Sequence, residues 1–466
     1  MKKERLRCDG LRFRSMFDMS FSLYEGECLL LMGLRGNYQH ELANILAGYE
    51  SNYEGTLYLD GRETAFSSTV QANREGIHLI RDNSALIGNF RLSENVFLVP
   101  QYAGTAFFVT PSSLNAKADQ LFKSLGLDLK GSSYGNQCDI FEQHAVRTAR
   151  AVAQDAGIIL FENVADVYNS DQLRRFKELL QTLRKVGISV ILFSSIITGL
   201  FEYADRVFVL RDATIAHIFE RDEVDRESLF QALTQNKNAP AIRLEDDGSA
   251  GGCLMRLEQF APIGYAGAPL NLSIRKSCIT SLITDNIDSV SSVLRSIFGG
   301  IPFHGSMFLD GKKCGFVRSA DAISRGIGLI DGENDGNLFE NFSAETNVSL
   351  MLQRLTDFPL SIENKRANRY LAFQAAEKYG IDPELLHTAS VESLSNINRM
   401  KLALLRWLVL NPRLLLLIHP YCNLDEFERL ELSRLLSRIA SKGVSMLMVS
   451  TLMSDAVDIS GKMVRI

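Results

Sequence analysis

The sequence has no pair of cysteines at metal-ligand spacing. Its seven cysteines (Cys8, Cys28, Cys138, Cys253, Cys278, Cys314 and Cys422) are scattered, which argues against a zinc site and fits a reducing cytosol. It has no surplus of basic charge either. Fifty Lys and Arg stand against 55 Asp and Glu, a net charge of −5, so no global positive field points to nucleic acid. Long apolar runs are also missing. Stretches such as Leu414 to Ile418 are far too short to cross a bilayer. The basic start, Met1 to Arg7, is followed by no apolar segment and does not read as a signal peptide. Any role at a membrane is therefore expected to come through partner subunits.

What is present is the mix of an ordinary globular protein, 46% hydrophobic and 23% charged over 466 residues. That length favours two or more domains and ample core without disulfides. The chain also repeats itself. Gly55–Gly61 (Gly-Thr-Leu-Tyr-Leu-Asp-Gly) matches Gly305–Gly311 (Gly-Ser-Met-Phe-Leu-Asp-Gly), 250 positions on, and Gly76–Ile80 matches Gly326–Ile330 at the same offset. Glu94-Asn95-Val96 resembles Thr346-Asn347-Val348, and Arg150 before one buried strand matches Arg406 before another. Four matches in one order, with a slowly drifting offset, indicate duplication. The polar stretch 236–252, with its Gly and Pro, reads as a linker between domains at 1–235 and 253–466. Apolar strands at Ile158–Phe161, Val190–Phe193, Leu414–Ile418 and Ser445–Val449 alternate with helical stretches, the pattern of an α/β fold with a buried parallel sheet.

The order of segments in each half resembles the ATP-binding subunit of ABC importers, in particular the fused two-domain subunit of ribose- and galactose-type sugar importers. The resemblance runs over nearly the whole chain. It rests on Ile45–Gly48, Gly55–Gly61, Ser93–Val96, Thr148–Val152, Ala204–Asp212 and, in the second half, Arg406–Leu408 with Asn411-Pro412. It implies two tandem ABC-type, P-loop-NTPase-like nucleotide-binding domains. Each would have a mainly parallel sheet, an antiparallel β subdomain and a helical subdomain. A further helical tail is usual in that family, whereas this sequence stops at Ile466.

In the family the phosphate loop reads G-x-x-x-x-G-K followed by Ser or Thr. Its amides cradle phosphates, its lysine neutralises charge and its hydroxyl reaches Mg²⁺. The first half has Gly33-Leu34-Arg35-Gly36-Asn37-Tyr38-Gln39-His40. Gly33 and Gly36 remain, while Tyr38, Gln39 and His40 replace glycine, lysine and hydroxyl. Two readings stand: a plain strand-to-helix turn, or residual nucleotide binding. The second half has Thr284–Ser291, with no glycine or lysine and with Asp285 and Asp288 set to repel phosphate. At the next site, which needs a metal carboxylate and a general base, Glu162 retains a carboxylate for Mg²⁺ through the nucleotide. Asn163 cannot take a proton. The second half offers Ile418 and His419, the latter read as a structural histidine.

The resemblance places a signature loop at Cys138–Glu142, where Phe141 replaces a glycine and Asp139 brings negative charge. The other, at Leu394–Asn398, keeps Ser395 and Asn398 around Asn396. The Q-loop glutamine is Asp82, and the switch histidine is Ser195 in one half and Thr451 in the other. In the family, each composite site joins one half's phosphate loop to the other half's signature. ATP and Mg²⁺ are then expected at the first such site only, or nowhere. That site would comprise Gly33, Gly36, Gln39, His40, Asp82 and Glu162 with Ser395, Asn396 and Asn398. No residue is assigned a catalytic role; Asn163, Ser195 and His419 occupy the positions where one would be.

Three functions follow from the resemblance. One is a degenerate transport subunit docking on integral-membrane permeases, served by an extracellular sugar-binding protein, at the cytoplasmic face of the membrane. The permease-contacting surface would be the segments after Asp82 and around Glu333, up to Asn95 and Asn347. The second is a regulator or scaffold that keeps the ABC fold. The third is an atypical ATPase using Glu162 and His419.

Overall fold

In the computed structural model, residues 3–13, 16–34, 38–83, 85–97, 110–234, 252–265, 267–284, 287–332, 337–356, 364–451, 455 and 462–465 are described. The chain divides into two compact units, Met1–Asn238 and Ala239–Ile466. The linker at 236–252 lies outside the described residues except for Gly252.

In the first unit, β1 (Glu4–Phe13), β2 (Met16–Tyr24), β4 (Glu54–Leu59) and β5 (Arg62–Thr64) form an antiparallel sheet in the order β2-β1-β4-β5. A second sheet takes β3 (Cys28–Gly33), β6 (Ile77–Arg81), β7 (Ile158–Glu162), β8 (Ser189–Ser194), β9 (Arg206–Arg211) and β10 (Thr214–Glu220) in the order β10-β9-β3-β8-β7-β6. Its strands are parallel except for β10. Every residue of β3, β7 and β8 is buried, as expected for strands covered on both faces. Helices α1 (Gln39–Leu46) and α2 (Thr69–Arg74) share one buried cluster with both sheets, while α3 (Leu92–Phe97), α4 (Pro111–Ser124) and α5 (Ile140–Ala153) form a helical part. Helix α6 (Ser170–Lys185) starts at an Asn169–Gln172 capping box and buries Phe176, Leu179, Leu180 and Leu183, one face at helical spacing.

The second unit repeats this plan. Strands β11 (Cys253–Pro262), β12 (Leu270–Arg275), β14 (Phe303–Leu309) and β15 (Lys312–Cys314) pair as β12-β11-β14-β15. Strands β13 (Ile279–Ile283), β16 (Ile327–Asp331), β17 (Leu414–Ile418), β18 (Ser445–Ser450) and β19 (Lys462–Arg465) form a parallel sheet in the order β16-β17-β18-β13-β19. After α7 (Arg226–Thr234) of the first unit, the second unit has helices α8 (Ile287–Ile297), α9 (Ser319–Ser324), α10 (Ala344–Thr356), α11 (Lys365–Tyr379), α12 (Asn396–Leu408) and α13 (Glu426–Ser441). The four apolar segments read as strands in the sequence are β7, β8, β17 and β18.

The matched glycines have a shared physical cause. Gly55 and Gly305 sit at φ 96° and 94°, and a Cβ there would lie 2.4 Å from the Gly10 carbonyl oxygen and 2.2 Å from that of Gln259. Only glycine permits both the positive φ and the approach of β1 or β11. Replacing Gly305 with Ala is expected to lower the thermal midpoint of the second unit. Unchanged unfolding in that variant would contradict this reading.

Candidate functional site

Strand β3 ends at Gly33 and helix α1 begins at Gln39; Gly36, between them, lies outside the described residues. Tyr38 adopts a left-handed backbone, φ 65°, at the helix start. Gln39 turns inward. Its side-chain amide donates to the carbonyls of Leu31 at 3.1 Å and Ser194 at 2.9 Å, stitching β3 to β8. A neutral amide satisfied by two carbonyls can be buried here at little cost, whereas an ammonium would bring a charge into the same buried position.

The carboxylate expected to serve Mg²⁺ is already paired. Glu162 is buried at the end of β7. One oxygen lies 2.5 Å from His40 Nδ1, and the other accepts from Arg81 Nε at 2.7 Å. Arg81 also bonds Asn44 and lies over the Tyr49 ring at 4.5 Å. Among the described residues, no group of three or more His, Cys, Asp or Glu is placed to hold a metal. In this turn the side chain at the position of the family's lysine is an inward amide, and the carboxylate is held by His40 and Arg81. Arg81 gave no signal in the sequence, because its partner is 81 residues away.

Asn163 follows in a left-handed conformation, φ 55°, with its N–H donating to the Phe193 carbonyl at 3.0 Å. Its side-chain oxygen is buried without a hydrogen-bond partner. Ser195 is buried and donates to Asp166 through both its N–H and its hydroxyl, each at 3.1 Å. Ser194 donates to the other oxygen of the same carboxylate at 2.5 Å. Asp166 was not singled out in the sequence; it ties down the segment where the switch residue would sit. Asp82 is held through its backbone. Its N–H donates to the Glu162 carbonyl at 3.1 Å, and its own carbonyl accepts from His144 Nε2 at 3.1 Å. That contact fixes the neutral tautomer of His144, so Nδ1 accepts from the Tyr168 hydroxyl at 2.7 Å.

Burial pushes both His144 and His78 down to about 4. Between that value and about 6.5, the value expected in an unfolded chain, unfolded protein binds protons that the folded unit refuses. Stability is thus fully present above about pH 6.5 and falls as pH drops toward 4, by on the order of 2–3 kcal/mol per histidine. Denaturant unfolding at neutral and mildly acidic pH checks this. The double variant H78Q/H144Q is expected to flatten the slope, and an unchanged slope would refute the assignment.

At the first signature position, Asp139 caps α5. Its side chain accepts from the Glu142 N–H at 2.7 Å, and Glu142 reciprocates from the Asp139 N–H at 3.0 Å. Arg175 bridges both carboxylates at 2.9 and 3.1 Å and lies 4.4 Å over the Phe141 ring. The helix start is thus filled by its own acid pair. In the second unit, Ser395 stands at the start of α12 with no side-chain capping bond and is exposed. Asn396 donates to the Asn423 carbonyl at 2.9 Å, and Asn398 is half-buried. His419 repeats the backbone of Asn163, with φ 44° and its N–H donating to the Val449 carbonyl at 2.8 Å; its Nε2 is 3.5 Å from the Thr451 hydroxyl. Asp285 and the side chain of Asp288 lie outside the described residues.

One arrangement occurs in both units. The buried Asn95 accepts from the Ile87 N–H at 3.0 Å, and its amide donates to the carbonyls of Ile87 and Arg91 at 3.1 and 3.2 Å. The buried Asn347 accepts from the Phe339 N–H at 2.8 Å and donates to Phe339 and Ser343 at 3.0 and 3.1 Å. Each latch presents large apolar side chains outward, Ile87 and Phe90 in one unit and Phe339 and Phe342 in the other. Arg150 Nε donates to the Asn95 carbonyl at 2.5 Å, and Arg406 lies 5.5 Å over the Phe339 ring.

This combination of sheets and helices, present twice, is the α/β fold of the ABC ATPases. Residues 16–165 match the family model described as ABC transporter. Over nearly its whole length the chain is similar to ribose import ATP-binding proteins. It is 24% identical to RbsA of Bacillus licheniformis over 447 residues, 95% of this chain and 90% of that protein. It is 26% identical to RbsA 2 of Escherichia coli O157:H7 over 455 residues, 97% of this chain and 89% of that protein. Among solved structures, a nucleotide-free ATP-binding cassette from an ABC transporter aligns with 49% of this chain and 98% of its own, at 14% identity and a TM-score of 0.43.

Proposed function

We propose that this chain acts as the ATP-binding-type subunit of an ABC transporter for carbohydrate import, docking on membrane permeases, with weak or absent ATP hydrolysis. The transport reading is supported by the relatives, which are named for ribose import and match through both units. The loss of hydrolysis is supported by one observation above all: Glu162 is buried and paired with both Arg81 and His40, beside a Gln39 that faces inward.

Removing a single group that stabilises charge in phosphoryl transfer costs on the order of 10²–10³-fold. Lysine, base and histidine are all replaced in the first unit, and such losses are not additive. The ABC family implies ATP with Mg²⁺ as ligand. If nucleotide binds at the first-unit turn, the Arg81–Glu162–His40 cluster must rearrange to admit it.

No described helix is long and apolar enough to cross a membrane. Docking would then fall to the segments held by Asn95 and Asn347, where exposed Ile87, Phe90, Phe339 and Phe342 offer apolar contact to a partner. An extracellular sugar-binding protein would deliver cargo to the permeases.

The test is co-expression with permease subunits of an ABC sugar importer, followed by purification and an assay of Mg·ATP turnover. The expected result is a stable complex whose turnover on this chain stays at background. A complex that never forms would leave the scaffold reading. Strong Mg²⁺-dependent turnover abolished by Glu162→Ala would establish an atypical ATPase instead.

A further inference from the structure

We propose that a cationic cleft at the N-terminal end of the second unit's parallel sheet binds an organic phosphate carrying two or more negative charges. The inference is independent of the transport reading. It concerns the end of the sheet opposite the phosphate-loop turn.

The cleft has a volume of about 330 Å³. Lys276 enters it from just before β13, Arg413 from the residue before β17, Lys442 from just before β18, and Lys378 from the last turn of α11. Buried Tyr379 and Val444 contribute to its lining. One carboxylate, Asp310, pairs with Lys276 at 3.2 Å and with Arg413. Lys378 donates to the Asn411 side chain at 2.8 Å and lies 4.8 Å from the Tyr379 ring. Among the described residues, no carboxylate is within ion-pair distance of Lys378 or Lys442. Four cations thus line one cleft, with one carboxylate pairing two of them, in a protein whose net charge is −5.

The duplication supplies an internal control. Strand registers align Lys276 with Glu25, Arg413 with Gly157 and Lys442 with Val186. The matching helix ends, closed at Gly126 and Gly380 with φ 71° and 72°, align Lys378 with Ser124. Asn411 aligns with Asp155, both in left-handed backbone. At these aligned positions the first unit carries no cation, but Lys3 and Arg5 reach Asp60, the counterpart of Asp310, with Lys3 also near Glu25. The first unit thus sets two cations against two carboxylates, whereas the second gathers four cations with one.

Converging like charges repel, and an anion that bridges them removes that repulsion. A guanidinium with flanking ammonium groups matches phosphate oxygens in charge and donor geometry. The volume lies at the lower end for small-molecule sites and exceeds the needs of a bare phosphate.

The test uses the full chain at physiological ionic strength, with pyrophosphate as probe in calorimetry. Saturable binding is expected. The double variant K378Q/K442Q changes two exposed side chains that hold no ion pair, so the fold should persist, which circular dichroism checks. Its affinity is expected to fall by roughly a hundredfold, the loss of two charge-assisted contacts. Absence of saturable binding, or equal affinity in the variant, would overturn the proposal; the second result would move the site elsewhere. Sedimentation with phosphatidylglycerol vesicles separates the other source of phosphate. Vesicle binding that is lost in the variant and unaffected by pyrophosphate would reassign the cleft to a lipid surface and overturn the small-molecule assignment.

Discussion

Replacing Glu162 with alanine is expected to destabilise the first unit by about 2–3 kcal/mol, near the low end for breaking a buried ion pair. The carboxylate is buried and satisfies Arg81 and His40 together. Without it, Arg81 keeps the Asn44 side chain and the Tyr49 ring, and a partly buried guanidinium loses the Glu162 carboxylate. Partial exposure of Arg81 and the larger exposure of His40 soften the cost. The thermal midpoint of the first unit should fall by roughly 5–10 °C. Because the chain has two units, the transition must be followed with a probe confined to the first. If Glu162 instead serves a metal, the same substitution would abolish Mg²⁺-dependent turnover and leave the midpoint unmoved. The two roles are separated by which quantity changes.

Asn347→Ala is expected to abolish capture of the permease partner while leaving the rest of the second unit folded. One buried side chain accepts the Phe339 N–H and donates to two carbonyls at 3.0 and 3.1 Å. Removing it leaves these groups unsatisfied, at a local cost of about 2–4 kcal/mol. The segment that presents Phe339 and Phe342 then loses its fixed shape. Hydrogen exchange should show protection lost in the residues around Phe339, and permease pull-down should fail. Asn95→Ala is expected to do the same around Ile87 and Phe90. Intact pull-down with either variant would show that docking does not use that latch.

Much of the fold was legible because its causes are local. The apolar run Leu414–Ile418 is a covered strand, as its length and flanking turn residues suggest, and the repeated Gly-x-x-x-Leu-Asp-Gly segments require glycine at Gly55 and Gly305 for positive φ and close approach. The candidate site was legible in its positions but not in its contacts. In the structure Gln39, Glu162 and Ser195 stand at or next to the ends of α1, β7 and β8. Sequence pattern gave no sign that Gln39 turns toward Ser194, that Arg81 pairs with Glu162, or that Asp166 holds Ser195. Arg175 at Asp139 and His144 beneath Asp82 were equally silent.

By itself, then, the sequence determined the repeated segments, the α/β class and the buried strands at Ile158–Phe161, Val190–Phe193, Leu414–Ile418 and Ser445–Val449. Those features follow from periodicity, apolar runs and backbone demands within a few residues. Only the tertiary structure decided what Gln39, Glu162 and Ser195 do with their polar atoms. Long-range pairings such as Arg81 with Glu162 close only when separate strands and helices meet. A buried carboxylate or amide takes whichever partner the packed fold brings within hydrogen-bond reach.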